Sequence, residues 1–121
     1  MTKGMEIWLL DSNQATGRSL ALILENWGFR VQHVAGAEQI IGLDFSTQPA
    51  VIVLDDEYLA DDARWLAVER RITHAWEVTP PIVLLSRRPN QSLKRTASTV
   101  MEKPVDLARL RDLVTRLSEA A

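Results

Sequence analysis

The sequence contains no cysteine, which excludes disulfide bonds, thiolate chemistry and cysteine-ligated metals. It has two histidines, His33 and His74, and their separation matches no metal-ligand motif. No apolar run approaches the ~20 residues that a membrane-spanning helix needs, and the N-terminus shows no secretory signal pattern. The net charge of −2 gives no reason to expect a nucleic acid or an anionic membrane as a partner. These absences favour a cytoplasmic protein.

The composition is that of one globular domain. The chain has 121 residues, of which 46% are apolar and 25% charged, and this is ordinary for a domain with a single core. No internal repeat and no low-complexity linker divides it. We therefore treat residues 1–121 as one domain.

Strand-like and helix-like segments alternate along the chain. Short apolar runs predict strands at about Glu6–Leu10, Arg30–Val34, Ala50–Leu54, Ile82–Leu85 and Thr99–Glu102. Apolar residues at three- and four-residue spacing predict helices at about Gln14–Trp27, Ala37–Leu43, Asp62–Trp76 and from Val105 onward. Alternation of this kind predicts an α/β fold with helices on both faces of a parallel sheet. Right-handed crossovers favour the five-stranded flavodoxin-like order 2-1-3-4-5.

The segment before the last strand is too short for a full fourth helix. Twelve residues, Arg87–Ser98, remain there, whereas a mean helix takes about 11–12 residues and its two loops about 2–6 each. We predict one or two helical turns at most, around Asn90–Thr96. The four basic residues within Arg87–Arg95 fit either a solvated loop or a contact with an anion, a nucleotide or an acidic partner.

Four polar residues stand at or just after the ends of predicted strands, namely Asp11, Asp55, Ser86 and Lys103. In an open parallel sheet the carboxyl ends of the strands meet at one edge, where ligands bind. Asp11 and Asp55 offer the oxygen ligands that Mg²⁺ prefers. Phosphoryl transfer to a carboxylate needs such a cation, a nucleophile, a positive charge and a hydroxyl. Asp55 can be the nucleophile, Lys103 the charge and Ser86 the hydroxyl.

This constellation resembles the receiver domains of bacterial two-component response regulators. The resemblance covers Glu6 to about Leu117 and rests on Asp11, Val-Leu-Asp55, Leu-Leu-Ser86 and Lys103-Pro104. It implies that Asp55 accepts a phosphoryl group from a histidine kinase with Mg²⁺ bound, that Lys103 contacts this group, and that Ser86 is the switch hydroxyl. It also implies a regulatory protein rather than an enzyme, and a cis peptide bond before Pro104.

Several positions depart from the receiver pattern at the metal site. The family usually has two consecutive acids after the first strand, and here the second position is Ser12, a poorer ligand. Asp56 and Glu57 are candidates for partial compensation, and Glu57 falls where the family offers a backbone carbonyl to the metal. We therefore expect only weak Mg²⁺ binding, through Asp11, Asp55 and the Glu57 carbonyl.

The positions that transmit the signal in receiver domains are altered as well. Val100 stands at the aromatic switch position and lacks the ring that would move together with Ser86. The pattern resembles the atypical receivers, or pseudo-receivers, found at the N-terminus of some sigma-54-type activators that work without phosphorylation. We expect the domain to act as a homodimer. We also expect a C-terminal effector domain, because Leu117–Ala121 carries no helix-stop signal and resembles a helix that continues into a linker. We expect no direct contact of this domain with nucleic acid or membrane.

Two other interpretations stay open. In one, Ser12 is tolerated and Asp55 is a working Mg²⁺-dependent phosphoacceptor for a histidine kinase. In the other, the chain is a small flavodoxin-like enzyme or cofactor binder. That alternative lacks support, because the segment Asp11–Gly17 has a single glycine and no Walker lysine to hold phosphates.

Overall fold

The computed structural model of the chain describes residues 4–36, 39–40, 42–60, 62–87 and 99–120. The helical turns predicted at Asn90–Thr96 lie outside the described residues, as does the basic segment beyond Arg87. Of the helix predicted at Ala37–Leu43, only residues 39–40 and 42–43 are described. Within the described ranges, none of the helices combines the length and the hydropathy needed to cross a membrane.

The described residues form one five-stranded parallel sheet with the strands β1 (Glu6–Leu10), β2 (Arg30–Val34), β3 (Val51–Asp55), β4 (Ile82–Ser86) and β5 (Thr99–Glu102). Their order is β2-β1-β3-β4-β5, which confirms the predicted flavodoxin-like topology. Both β3 and β4 are buried throughout, as their continuous apolar runs predict. Each extends one residue beyond its predicted end, so Asp55 and Ser86 are strand residues rather than loop residues.

Three α-helices lie within the described ranges, namely α1 (Gln14–Asn26), α2 (Asp62–Ala75) and α3 (Leu107–Glu119). A short 3₁₀ helix, Asp56–Ala60, follows β3 and was not predicted from the sequence. The last helix begins later than predicted because Asp106 has extended backbone angles and caps it, accepting hydrogen bonds from the backbone N–H groups of Ala108 and Arg109.

The sheet separates two hydrophobic clusters. Successive strand residues point to opposite faces, and in β1 the side chains of Trp8 and Leu10 pack into one cluster while Ile7 and Leu9 pack into the other. Helix α2 covers the first cluster, and α1 and α3 cover the second. The central strands are therefore buried on both faces, and their carboxyl ends can carry polar groups without disturbing the core.

The four tryptophans lie in the two hydrophobic clusters or at their edges. Trp8 and Trp65 are buried, whereas Trp27 and Trp76 are partly buried at the edges of the two clusters. The Trp76 ring stacks on Phe45 with 5.6 Å between ring centroids, and its Nε1–H donates to the Phe45 carbonyl oxygen at 3.0 Å. These contacts fix the loop before β3 against the C-terminal end of α2.

Helix α1 passes close to β2 at Gly17. A Cβ atom at this position would overlap the imidazole ring of His33, which lies on β2. The Nε2 atom of the same ring lies 3.0 Å from the backbone carbonyl oxygen of Asp11. Because a carbonyl oxygen only accepts, the proton of this hydrogen bond belongs to Nε2. Glycine at position 17 thus leaves room for a contact that holds the residue following β1.

Gly17→Ala should destabilise the fold, although alanine is the better helix residue by about 1 kcal/mol. The added methyl group displaces His33 from the Asp11 carbonyl, and we expect the free energy of urea unfolding to fall by about 1–2 kcal/mol. In a His33→Ala chain the same substitution should be neutral or stabilising, since the obstacle is gone. An equal loss in both chains would contradict this account of the contact.

Candidate functional site

The carboxyl edge of the sheet brings the predicted site residues together. Strand register places Asp55 at the end of β3 and Ser86 at the end of β4, while Asp11 follows β1 and Lys103 follows β5. A cleft of about 690 Å³ opens at this edge, and Asp11, Asp55, Glu57 and Lys103 line it. Ser86 is only 1% exposed and is not part of the cleft wall.

Asp11 is held in place by the start of α1. Its Oδ1 accepts a hydrogen bond from the backbone N–H of Asn13 at 2.9 Å, and its Oδ2 accepts one from the Thr16 hydroxyl at 3.2 Å. The residue is 3% exposed. With the His33 contact to its carbonyl, these bonds fix the direction in which the carboxylate faces the cleft.

Asp55 is paired with Lys103 across the end of β4. The Lys103 Nζ lies 2.7 Å from Asp55 Oδ2, and the backbone N–H of Glu57 donates to Asp55 Oδ1 at 2.9 Å. Both side chains are largely buried, with 17% of Lys103 and 10% of Asp55 exposed. Charge-assisted hydrogen bonds of this kind are among the stronger ones in proteins.

The role of Asp56 at this site does not follow from the sequence. The sequence indicates it only as a substitute metal ligand, yet its Oδ1 lies 2.9 Å from the same Lys103 Nζ, and its Oδ2 accepts from the backbone N–H of Arg87 at 3.0 Å. The contact with Lys103 spans a long sequence separation, so local pattern gave no signal for it. The one available hint was the acidic pair Asp55-Asp56 at a strand end.

The two neighbouring carboxyl groups differ in acidity. Burial raises the pKa of Asp55 and the charge of Asp11 adds to this, outweighing the hydrogen bonds from Lys103 and the Glu57 N–H. Burial acts in the same direction on Asp56, but there the hydrogen bonds from Lys103 and the Arg87 N–H prevail and lower the pKa. Burial disfavours the Lys103 ammonium, yet its two carboxylate partners outweigh this and raise the pKa of Lys103.

The oxygen ligands in the cleft suit a hydrated magnesium ion better than a fully enclosed one. The described residues contain no group of three histidine, aspartate or glutamate side chains that could enclose a metal ion. Two carboxylates, of Asp11 and Asp55, and the residue Glu57 nevertheless line one cleft. Magnesium commonly keeps several waters and binds through one or two carboxylates. The residues therefore fit a weakly held, largely hydrated Mg²⁺, and not a closed cage.

The Lys103-Pro104 peptide bond lies at the same edge of the sheet. The peptide bond between Lys103 and Pro104 is cis, as the receiver resemblance implied. The backbone N–H of Lys103 donates to the carbonyl oxygen of Ser86 at 2.9 Å, which ties the residue following β5 to the end of β4.

Several solved receiver domains share this architecture. The receiver domain of the sensor histidine kinase PA1611 from Pseudomonas aeruginosa PAO1 superposes with a TM-score of 0.75 at 23% identity, covering 96% of this chain and 98% of that one. The chain has the receiver-domain fold. A CheY-like receiver domain from Methylobacillus flagellatus gives a TM-score of 0.75 at 20% identity, covering 95% of this chain and 99% of that one.

A two-component response regulator from Clostridium difficile is similar to the same extent, with a TM-score of 0.74 at 21% identity over 95% of this chain and 96% of that one. The PA1611 receiver was crystallised with a magnesium ion coordinated in its active-site cleft. At these identities the likeness establishes the fold. No protein-family model and no curated protein matches the sequence.

Asp55→Asn and Asp56→Asn should change stability in opposite directions. A raised folded-state pKa at Asp55 contributes stability only at low pH and loses it as pH rises, so at pH 7 asparagine removes a penalty. A lowered pKa at Asp56 contributes stability above the ordinary value of 3.8, and asparagine removes that contribution. We expect changes of about 1 kcal/mol in each direction at pH 7.

These changes are measured by urea unfolding in metal-free buffer at pH 7 and again near pH 3. The Asp55 difference should shrink near pH 3, where this carboxyl group is protonated in the folded and unfolded chains alike. The Asp56 difference should shrink as the pH falls through the lowered folded-state pKa of Asp56. If Asp55→Asn and Asp56→Asn both destabilise the fold, or if their effects on the free energy of unfolding do not depend on pH, the two carboxyl groups do not share Lys103 unequally as described.

Proposed function

We propose that the chain is a receiver-type regulatory module of two-component signalling, not an enzyme, with Asp55 at the phosphoacceptor position and a degenerate phosphorylation switch. The observation that supports this most directly is the convergence of Asp11, Asp55 and Lys103 on one cleft at the carboxyl edge of a flavodoxin-like sheet. The similarity of the fold to receiver domains agrees with it.

Each residue has a distinct part in the proposed chemistry. A carboxylate oxygen of Asp55 attacks the phosphorus of the donor as the donor's leaving group departs, and the Lys103 ammonium offsets charge on the transferred oxygens. The burial that raises the pKa of Asp55 also makes its carboxylate more basic. Asp11, Asp55 and the Glu57 carbonyl would hold Mg²⁺, which supplies further charge neutralisation when bound. Ser86 keeps the role of switch hydroxyl.

Three observations favour a degenerate switch. Ser12 stands where a second carboxylate would otherwise strengthen metal binding, and Lys103 is shared with Asp56 instead of being committed to Asp55. Val100 on β5 packs against the cluster containing Trp8 and has no ring to reorient. In this proposal the domain regulates a C-terminal effector through surface contacts, as a homodimer in the cytoplasm, with a histidine kinase as a secondary partner.

A working phosphoacceptor is the second candidate. It is favoured by the cleft itself, since Asp11, Asp55 and Lys103 line it together despite Ser12. The two candidates differ in whether the unaltered chain gains a phosphoryl group on Asp55 in the presence of Mg²⁺.

Restoring the missing acid should restore phosphorylation. We expect Ser12→Asp to gain the mass of one phosphoryl group on incubation with phosphoramidate and Mg²⁺, because a third carboxylate strengthens the metal site. The unaltered chain should gain roughly tenfold less in the same time, as expected for the loss of one directly coordinating or supporting group at a metal site. Intact mass spectrometry measures both.

The control is Ser12→Asp combined with Asp55→Asn, which should remain unlabelled. If the unaltered chain labels as fast as Ser12→Asp, the switch is functional and the second candidate is correct. If folded Ser12→Asp chains are not labelled, whether Asp56 is kept or replaced by asparagine, while a receiver with both acids is labelled in parallel, the receiver-type assignment of this site fails.

A further inference from the structure

The carboxylate of Asp56 closes a ring of hydrogen bonds around three strand ends. Its Oδ1 contacts Lys103 Nζ at 2.9 Å, and its Oδ2 accepts from the Arg87 N–H at 3.0 Å. The Lys103 N–H in turn donates to the carbonyl oxygen of Ser86, the residue before Arg87, at 2.9 Å. One side chain at the end of β3 therefore binds the ends of both β4 and β5.

Lys103 is also the cation that the proposed function assigns to a group on Asp55. Its ammonium has three hydrogens, and Asp55 and Asp56 each take one at short distance. A third carboxylate, that of Asp11, lines the same cleft, and its negative charge acts on Asp55. An oxyanion arriving beside Asp55 meets an excess of negative charge, and it competes with Asp56 for the same cation.

We propose that Asp56 is a positioning residue whose carboxylate occupies the place of an external anion by binding Lys103 and the Arg87 N–H. An oxyanion beside Asp55 can then bind only by displacing the Asp56 carboxylate from Lys103. The inference rests on the proposed function, which assigns Lys103 to the phosphoryl group. It explains how the sharing of Lys103 weakens the switch independently of Ser12. The Asp56 carboxylate already joins the ends of β3, β4 and β5 when Asp55 carries no phosphoryl group.

The test uses fluoroberyllate, a tetrahedral mimic of a phosphoryl group, in the presence of Mg²⁺. Titrations followed by ¹⁹F NMR give the dissociation constant for the unaltered chain, Asp56→Asn and Asp56→Ser. Both variants should bind the probe roughly tenfold more tightly, because each releases Lys103 from a charge-assisted hydrogen bond. Asparagine retains an oxygen that can accept from the Arg87 N–H, which helps to preserve the local fold, and serine is a shorter uncharged variant.

Glu102→Gln is the matched control. It removes one negative charge from the exposed residue beside Lys103, so it reports the general effect of charge near the cleft. This variant should stay within about twofold of the unaltered chain, because exposed charges are screened by salt. Urea unfolding curves establish that every variant is folded.

If neither Asp56 variant binds the probe more tightly than Glu102→Gln, including the case in which none of them binds it, the proposed role of Asp56 is overturned. This result is separate from a failure of the proposed function, which is judged by labelling of Ser12→Asp. The role of Asp56 and the receiver-type function can therefore be supported or refuted separately.

Discussion

One ammonium group shared by two adjacent carboxylates organises the carboxyl edge of the sheet. Lys103 follows β5, and its side chain passes the end of β4 to reach Asp55 and Asp56 at the end of β3. A flexible stem with a compact charge suits this reach better than a planar guanidinium, which favours paired oxygens of one carboxylate. Without this cation, two neighbouring and partly buried carboxylates would repel each other, and the side-chain link between the ends of β3 and β5 would be lost.

The rest of the fold holds this edge in position. Clusters on both faces bury β3 throughout and β1 from Ile7 to Leu10, so the backbone that carries Asp11 and Asp55 is fixed by packing on both sides. Asp11 is then aimed at the cleft by the first turn of α1 and by His33. The site thus joins a rigid apolar scaffold to a small polar cluster, and changes such as Ser12 alter the chemistry of the cluster while leaving the scaffold intact.

The scaffold could be predicted because it follows from strong local patterns. Apolar runs buried on both faces identified β3 and β4, and parallel topology then required Asp55, Ser86 and Lys103 to meet at one edge. The role of Asp56 could not be predicted, since it depends on a 3₁₀ turn after β3 and on a partner far along the chain. The late start of α3 was missed for a related reason, because Asp106 could be read either as a helical residue or as its cap.

The unequal sharing of Lys103 can be tested by measuring the pKa values of Asp55 and Asp56. The NMR chemical shifts of their side-chain carboxyl carbons are followed as the pH is varied in metal-free buffer. The structure predicts that Asp55 titrates above the ordinary aspartate pKa of 3.8 and Asp56 below it. It also predicts that Lys103→Met raises the pKa of Asp56, since the main hydrogen bond favouring its charged form is lost. Two carboxyl groups that titrate together, or an Asp56 pKa that does not respond to Lys103→Met, would contradict the arrangement.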